Sequence, residues 1–266
     1  MLDIHVRNNI KILGQGEQTL LFAHGFGFDQ KMWNNITGDF VDDFQVVLFD
    51  YVGSGNSDIT SYSTEKYRSL EGYAQDILDI IYELKLENIV FIGHSISSMI
   101  GMIAAIKEPQ HFSKIIMIGT SPRYINDENY YGGFEKEDIE ELLDTMEMNF
   151  AGWASYMAPL ATNEPTSSTI TQAVEATLLS FHPRVALEFA QATFYCDYRK
   201  QLKELQIPTL IFQCSNDSIV PIEVGHYLNE NIKNSELVVI NVRGHYPHMI
   251  QPKQTAEIMK RYLSKE

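Results

Sequence analysis

Short apolar runs alternate with helical patterns over most of the 266-residue chain, and this alternation limits the fold more than any other feature. The runs are rich in Val, Ile, Leu and Phe and occupy residues 20–24, 45–50, 89–93, 114–119, 209–214 and 237–241. Helical segments separate them; within residues 73–86, for example, Ile77 and Ile81 fall on one buried face. Nearly continuous apolar strands are typical of parallel sheets covered on both faces. The sequence therefore predicts an α/β fold with a mostly parallel, doubly wound sheet.

The alternation stops near Pro122 and resumes near Tyr198, and helical periodicity fills the stretch between them. We predict four helices there, around residues 137–150, 152–161, 167–181 and 183–195. The first has an apolar face opposite an acidic one, and residues 126–150 carry nine acidic side chains and one basic side chain. This insertion therefore has a strongly negative surface, which is either a solvated helix face or a docking face for a basic partner.

The charge of the whole chain excludes some partners. With 20 Lys and Arg against 35 Asp and Glu, the net charge is −15, whereas binding to nucleic acid or anionic membranes depends on clustered basic residues. Cys196 and Cys214 form neither a disulfide framework nor a metal-site pattern. The first seven residues carry charges where a signal peptide is apolar, and no run approaches the roughly 18 apolar residues of a membrane span. We therefore expect a cytoplasmic protein that acts on small molecules or proteins.

Ser95 stands at a junction between a strand and a helix. The run that ends at Gly93 continues as His94-Ser95-Ile96-Ser97 and then into an apolar helix. A serine on such a sharp turn lies above the sheet at a helix amino terminus, where the helix dipole favours developing negative charge. The pattern therefore indicates a nucleophile, although a helix-capping serine after an ordinary strand fits the same local sequence.

Two later strands end in residues that suit a base and an acid. Asp217 follows the run at 209–214, and His245 follows the run at 237–241. Alone, Asp217 is typical of a turn and His245 of a surface loop. The order Ser, Asp, His at strand ends is that of α/β-hydrolases. We therefore predict that Ser95, Asp217 and His245 form a catalytic triad.

An attacking serine also needs donors for the oxyanion that it creates. These are normally the backbone amide after the nucleophile and one in the loop after an early strand, which places them at Ile96 and Phe26. Weaker alternatives are a dinucleotide loop at residues 53–58, which lacks the third glycine, and a metal pair at His245 and His248, which lacks further ligands. We predict no cofactor and no metal.

Several stretches resemble one branch of the α/β-hydrolases. They are FAHGFG (22–27), LFDYVGSG (48–55), GYAQD (72–76), GHS (93–95), YYGGFE (130–135), GWA (152–154) and GHYPHM (244–249). With them the chain resembles the RsbQ-like bacterial stress-signalling hydrolases and the related plant strigolactone and karrikin receptors, over nearly its whole length. Ser97 is a departure, because the family usually has glycine two residues after the nucleophile; we expect its hydroxyl to narrow the pocket or to hydrogen-bond near the nucleophile.

The resemblance implies a division of the chain and a set of site residues. Residues 1–121 and 199–266 form the hydrolase core, and residues 122–198 form a four-helix lid over a mostly apolar pocket. It also implies the triad and the two oxyanion amides named above. Lid aromatic residues are the candidates for the pocket, namely Phe134, Trp153, Phe181, Phe189 and Phe194.

The resemblance further implies a role in signalling. A protein of this type hydrolyses or binds a small hydrophobic ester-like or lactone-like ligand and activates a PAS-domain phosphatase of the RsbP type, which relieves inhibition of the stress sigma factor sigma-B. The alternative is a metabolic carboxylesterase or carbon–carbon bond hydrolase without a protein partner. The RsbQ-like lid favours the signalling role, whereas the chemistry of the site does not separate the two.

Overall fold

The computed structural model describes residues 3–265, and within them one seven-stranded sheet forms the centre of the molecule. Its strands are β1 (Lys11–Leu13), β2 (Thr19–Ala23), β3 (Gln45–Leu48), β4 (Ile89–His94), β5 (Phe112–Ile118), β6 (Thr209–Asn216) and β7 (Ser235–Arg243). They lie in the order β1-β3-β2-β4-β5-β6-β7, and all neighbours are parallel except β1 and β3. The predicted α/β fold with a mostly parallel, doubly wound sheet is confirmed.

Helices flank this sheet and account for most of the remaining chain. They are α1 (Ile4–Arg7), α2 (Asn34–Thr37), α3 (Thr64–Tyr67), α4 (Leu70–Leu84), α5 (Ile96–Lys107), α6 (Lys136–Met148), α7 (Phe150–Thr162), α8 (Thr169–Leu179), α9 (Pro183–Phe194), α10 (Ile222–Asn231), α11 (Pro247–Ile250) and α12 (Pro252–Leu263). Short 3-10 turns occur at Gln30–Trp33, Ile59–Ser61, Pro109–His111 and Gln201–Glu204. Helix α4 packs against α5, and α12 packs against α2.

The predicted strands match six of the seven, and β1 was missed. Strand β1 has three residues, all exposed, and pairs antiparallel with β3 at the edge of the sheet. An exposed edge strand buries no apolar face, so it lacks the continuous apolar run from which the other strands were predicted.

The direction of chain winding changes at β2. This strand pairs with β3 on one side and with β4 on the other, so the loops that follow β2 and β4 leave the sheet side by side. In open α/β sheets, ligands bind in the crevice at such a switch point, beyond the carboxyl ends of the strands. The loop with Phe26 and the turn with Ser95 both begin there.

The segment between β5 and β6 carries the four helices α6–α9, close to the predicted bounds. It begins and ends at one place, because the Tyr198 N–H donates to the Pro122 carbonyl at 2.8 Å and Arg123 pairs with Asp197 at 3.0 Å. Helix α6 starts with a capping box between Glu135 and Asp138. The division into core and lid at residues 122 and 198 stays a prediction, and its Met1, Leu2 and Glu266 lie outside the described residues.

The start of α5 lies so close to β4 that position 93 has no room for a side chain. A Cβ atom on Gly93 would lie 2.7 Å from the Ser98 nitrogen and 2.8 Å from the Ser97 carbonyl carbon, both of them backbone atoms. Backbone cannot move aside as a flexible side chain does. The turn that carries Ser95 therefore requires glycine at this position.

We predict that Gly93→Ala lowers the free energy of unfolding by about 2–3 kcal/mol, the usual cost of forcing extra atoms into a packed interior. Gly38→Ala is the matched control, because Gly38 has helical backbone angles and nothing within 4 Å of the new Cβ. It should raise the free energy of unfolding by about 0.4–1 kcal/mol, through reduced entropy of the unfolded chain. Urea unfolding followed by circular dichroism measures both; equal effects would contradict the close approach of α5 and β4.

Candidate active site

Ser95 lies on the turn from β4 into α5 in a conformation that serine rarely adopts. Its φ is 55° and its ψ is −129°, so the residue occupies the left-handed half of backbone space. Its N–H donates to the Ile118 carbonyl of the neighbouring strand at 2.7 Å, which holds the turn in place. Residues with such strained backbone angles are common at catalytic sites, and this turn has the shape of a nucleophile elbow.

His245 and Asp217 are joined by a buried hydrogen bond. The distance from His245 Nδ1 to Asp217 Oδ2 is 2.7 Å, and both side chains are almost inaccessible to solvent. The other carboxylate oxygen of Asp217 accepts from the backbone N–H groups of Ile219 at 2.8 Å and Val220 at 3.1 Å. Because an ionised carboxylate only accepts, Nδ1 carries the imidazole proton and Nε2 is left as a base.

The Ser95 hydroxyl and the His245 ring line the same cavity. Within residues 3–265, the one side-chain partner of Ser95 Oγ is the Tyr124 hydroxyl, at 3.4 Å, and no hydrogen bond joins Oγ to His245. Rotation about the Cα–Cβ bond changes the partner of a serine hydroxyl, so the contact with Tyr124 does not fix the direction of this oxygen. Loose nucleophile–base contacts are common before substrate binds.

The two predicted oxyanion amides belong to Phe26 and Ile96. Phe26 lies in the loop after β2 and its ring lines the cavity, whereas Ile96 is the first residue of α5. Among the hydrogen bonds of the described residues, neither N–H has an acceptor. Two free amides beside a serine at a helix amino terminus suit the stabilisation of a negative oxygen.

The cavity above Ser95 is small and mostly apolar. Its volume is about 40 Å³. Helices α7, α8 and α9 supply part of its wall, with Trp153, Met157, Ala161, Leu178, Thr193 and Phe194. Thr193 is buried, and its hydroxyl has no partner among the described residues.

The structure brings two of the five predicted pocket aromatics to this cavity, Trp153 and Phe194. Phe189 instead stacks on Tyr73 at a ring distance of 4.3 Å and meets the edge of Phe26 at 5.6 Å, so it supports the cavity wall from behind. Phe181 is buried among other apolar residues. Phe181 and Phe189 therefore do not line the pocket, contrary to the prediction. The prediction failed because helical periodicity identifies a buried face without showing whether that face meets a cavity or packed side chains.

Phe134, the fifth candidate, lines a groove on the outside. This outer groove lies between α6 and α7, has a volume of about 630 Å³ and is also lined by Trp153. Residues of α7 line both spaces, since Leu160 lines the groove and Ala161 the cavity. Helix α7 is therefore a wall one helix thick between cavity and outer groove.

Residues that the sequence analysis missed also shape the cavity. Tyr124 follows β5 and points its hydroxyl at Ser95, and Tyr246 follows His245 directly in the chain. The place of Tyr246 near the site could have been predicted, because it is next to the predicted base in the sequence. The place of Tyr124 could not, since it depends on how the segment between β5 and β6 leaves the sheet.

Three further histidines are buried around the site without forming a metal cluster. Burial lowers the pKa of His24 and of His94, and it lowers the pKa of His248 to about 3, with a smaller contribution from His245. His248 lies 4.5 Å from Trp33 and 4.9 Å from His94, measured between ring centroids. Within residues 3–265 no group of three or more His, Cys, Asp or Glu side chains is placed to hold a metal ion.

Comparison with known proteins agrees with this fold. The model of the alpha/beta hydrolase fold family matches residues 18–252. The chain belongs to this family. It is 39% identical to Karrikin insensitive 2 receptor CA of Petunia hybrida, over 96% of this chain and 95% of the receptor. It is 36% identical to a strigolactone esterase of Arabidopsis thaliana, over 96% of both chains.

A solved structure extends the similarity to a further hydrolase. The structure of a hydrolase from Oleispira antarctica has a TM-score of 0.96 and 43% sequence identity, and the match covers 99% of this chain and 97% of that one. This α/β-hydrolase is thus related to plant strigolactone and karrikin receptors, as the resemblance implied, whereas membership of the RsbQ type stays a prediction. No helix in residues 3–265 is both long and apolar enough to cross a membrane.

We predict that buried His248 makes this α/β-hydrolase less stable in mild acid. An unfolded histidine has a pKa of about 6.5, so between pH 6.5 and 3 the unfolded chain binds a proton that folded His248 does not. The contribution of His248 to the free energy of unfolding is therefore fully present above pH 6.5. It falls as the pH decreases, by about 2 kcal/mol between pH 7 and pH 5. His248→Phe should remove that part of the loss in urea unfolding at the two pH values.

The control for this measurement is the same substitution at the exposed His226. If His248→Phe and His226→Phe show the same difference in stability between pH 7 and pH 5, His248 is not the group responsible.

Proposed function

We propose that this protein is a serine hydrolase that cleaves a small hydrophobic ester or lactone. The observation that carries the proposal is the buried 2.7 Å bond from His245 to Asp217, which leaves Nε2 free beside the cavity that also holds Ser95. Ser95 is the nucleophile, His245 the base and Asp217 the group that orients the imidazole. The amides of Phe26 and Ile96 form the oxyanion hole.

The chemistry follows from these positions. His245 Nε2 takes the proton of the Ser95 hydroxyl while Oγ forms a bond to the carbonyl carbon, and the carbonyl electron pair moves onto oxygen. When this oxyanion collapses, the bond to the alkoxy group breaks, and His245 returns its proton to the departing oxygen. Water then attacks the acyl-enzyme by the same route and releases the acid. In a lactone the departing alcohol stays attached to the acid product.

The cavity limits the substrate to small apolar molecules with few polar atoms. Most of its wall is apolar, and beyond the triad the hydroxyls of Tyr124 and Thr193 are available to the ligand. An ester or lactone that carries one further oxygen outside its ester group fits this pattern. More distant relatives, at 23% and 25% identity, carry the names 3-oxoadipate enol-lactonase and pimeloyl-[acyl-carrier protein] methyl ester esterase, which also name ester-type bonds.

A receptor role is the second candidate, favoured by relatives that are named karrikin receptors at 39% and 40% identity. In this role the lid, residues 122–198, reports ligand binding to a partner, and α7 is the element that separates ligand from outer surface. The partner is a PAS-domain phosphatase of the RsbP type, and the acidic face of α6 is the docking face. A metabolic carboxylesterase would use the same site with no partner.

We predict that Ser95→Ala abolishes covalent labelling by a fluorophosphonate probe, because the probe reacts with the activated hydroxyl. His245→Gln should lower kcat by several orders of magnitude, as in other triads. Ser98→Ala is the matched control, since Ser98 is a buried serine three residues further on. Labelling that persists in Ser95→Ala, followed by mass spectrometry, would rule out this nucleophile.

Turnover distinguishes the enzyme from the receptor. A metabolic esterase should show a steady-state kcat of about 1 s⁻¹ or more on its preferred ester. A receptor should release about one product per chain and then slow sharply, because the product or acyl group stays bound. Pre-steady-state product release on a panel of small esters and lactones measures this, and fast turnover without effect on a purified RsbP-type phosphatase would contradict the receptor role.

A further inference from the structure

We propose that Ser97 is a positioning residue that holds the two halves of the oxyanion hole together; this inference rests on the proposed serine-hydrolase function. Ser97 lies in the first turn of α5, directly after Ile96, and is fully buried. Its hydroxyl donates a hydrogen bond to the backbone carbonyl of His24, the residue that follows β2. The bond thus joins the turn that carries one oxyanion amide to the loop that carries the other.

The side chain of His24 continues this connection. The Tyr51 N–H donates to His24 Nε2 at 3.0 Å, so Nε2 is unprotonated and Nδ1 carries the proton. His24 Nδ1 in turn donates to the Gly25 carbonyl at 3.0 Å. The ring is fully buried, and burial lowers the pKa of His24, which keeps the ring neutral and the two roles of its nitrogens fixed.

This second bond sets the direction of the Phe26 amide. The Gly25 carbonyl and the Phe26 N–H belong to one peptide unit, and the structure has no cis peptide bonds among the described residues. In a trans peptide the C=O and the N–H point in opposite directions. Because His24 Nδ1 at 3.0 Å and the Phe28 N–H at 3.3 Å both donate to the Gly25 carbonyl, the Phe26 N–H must face the other way, and it has no acceptor within residues 3–265.

The loop after β2 has little room beside β4. A Cβ atom on Gly25 would lie 2.4 Å from His94 Nδ1, so the loop already lies against the end of β4. The hydroxyl of Ser97 holds the carbonyl of the peptide between His24 and Gly25. Glycine, which stands at this position in the G-x-S-x-G elbow pattern, has no side chain to make this bond, so the connection depends on the serine in this chain.

A contact of this kind acts on the transition state more than on the bound substrate. The two amides bind the oxygen strongly only when it becomes an oxyanion, so an error in their spacing costs rate and leaves substrate binding nearly unchanged. A general loss of packing would instead lower the fraction of folded protein. These two effects are separable by experiment.

The test compares Ser97→Ala with Ser98→Ala in the full chain. Ser98 is the matched control, because it is also fully buried, and its hydroxyl donates to the Gly93 carbonyl at 2.8 Å without reaching the loop after β2. We expect Ser97→Ala to lower kcat about 10- to 100-fold, somewhat less than the loss of a whole oxyanion donor, with KM changed less than twofold. Ser98→Ala should change kcat less than threefold. Fluorophosphonate titration counts active sites and corrects each value for folded enzyme.

A second readout does not depend on turnover. Phenylboronic acid forms a tetrahedral adduct with an activated serine and places a charged oxygen in the oxyanion hole, so its affinity should fall in Ser97→Ala by the same factor as kcat. Ser97→Thr keeps the hydroxyl and should restore most of both losses. If Ser97→Thr does not fold, the comparison of Ser97→Ala with Ser98→Ala still tests whether Ser97 positions the oxyanion amides.

Equal effects of Ser97→Ala and Ser98→Ala on kcat would overturn the inference, as would a rise in KM that accounts for the whole loss. Neither result touches the proposed function. That function fails separately, if the unaltered protein neither reacts with the fluorophosphonate nor binds phenylboronic acid.

Discussion

The close approach of backbone at the carboxyl ends of β2 and β4 is the constraint on which the rest of the site depends. Gly93 allows the start of α5 to lie against β4, and Gly25 allows the loop after β2 to lie against His94. Because the winding of the sheet reverses between these strands, their two loops are the ones that meet. A strained serine and two unpaired amides follow from that meeting, and a bulkier residue at either glycine would separate them.

The hydrogen bonds of Asp217 and His24 are satisfied, whereas the proposed base and the two proposed oxyanion amides are free. Asp217 accepts three bonds, and the ring of His24 is bonded at both nitrogens. The Phe26 and Ile96 amides and His245 Nε2 have no partner within the described residues. Preorganised donors of this kind do not need to rearrange when charge develops, which is the main electrostatic advantage of an enzyme site over water.

Much of this arrangement was predictable because its signals are local. Ser95, Asp217 and His245 each follow an apolar run, and the carboxyl ends of parallel strands meet at one edge of the sheet, so residue order was enough to place them together. Their action as a catalytic triad stays a prediction. The pocket wall was less predictable. Phe189 has the helical spacing of a pocket residue but stacks on Tyr73, and Tyr124 reaches Ser95 from a segment with no motif. Both positions depend on how distant segments pack, which periodicity within one helix does not encode.

Helix α7 has a consequence for any molecule that touches the outer face of the lid. Trp153 belongs to the cavity and to the outer groove at once, so the two spaces share a wall and are not independent. A binder that favours one position of this wall changes the affinity of the cavity for its ligand, and by thermodynamic reciprocity the ligand changes the affinity of the binder by the same factor. Coupling of this kind needs only a shift of one helix, with no domain movement.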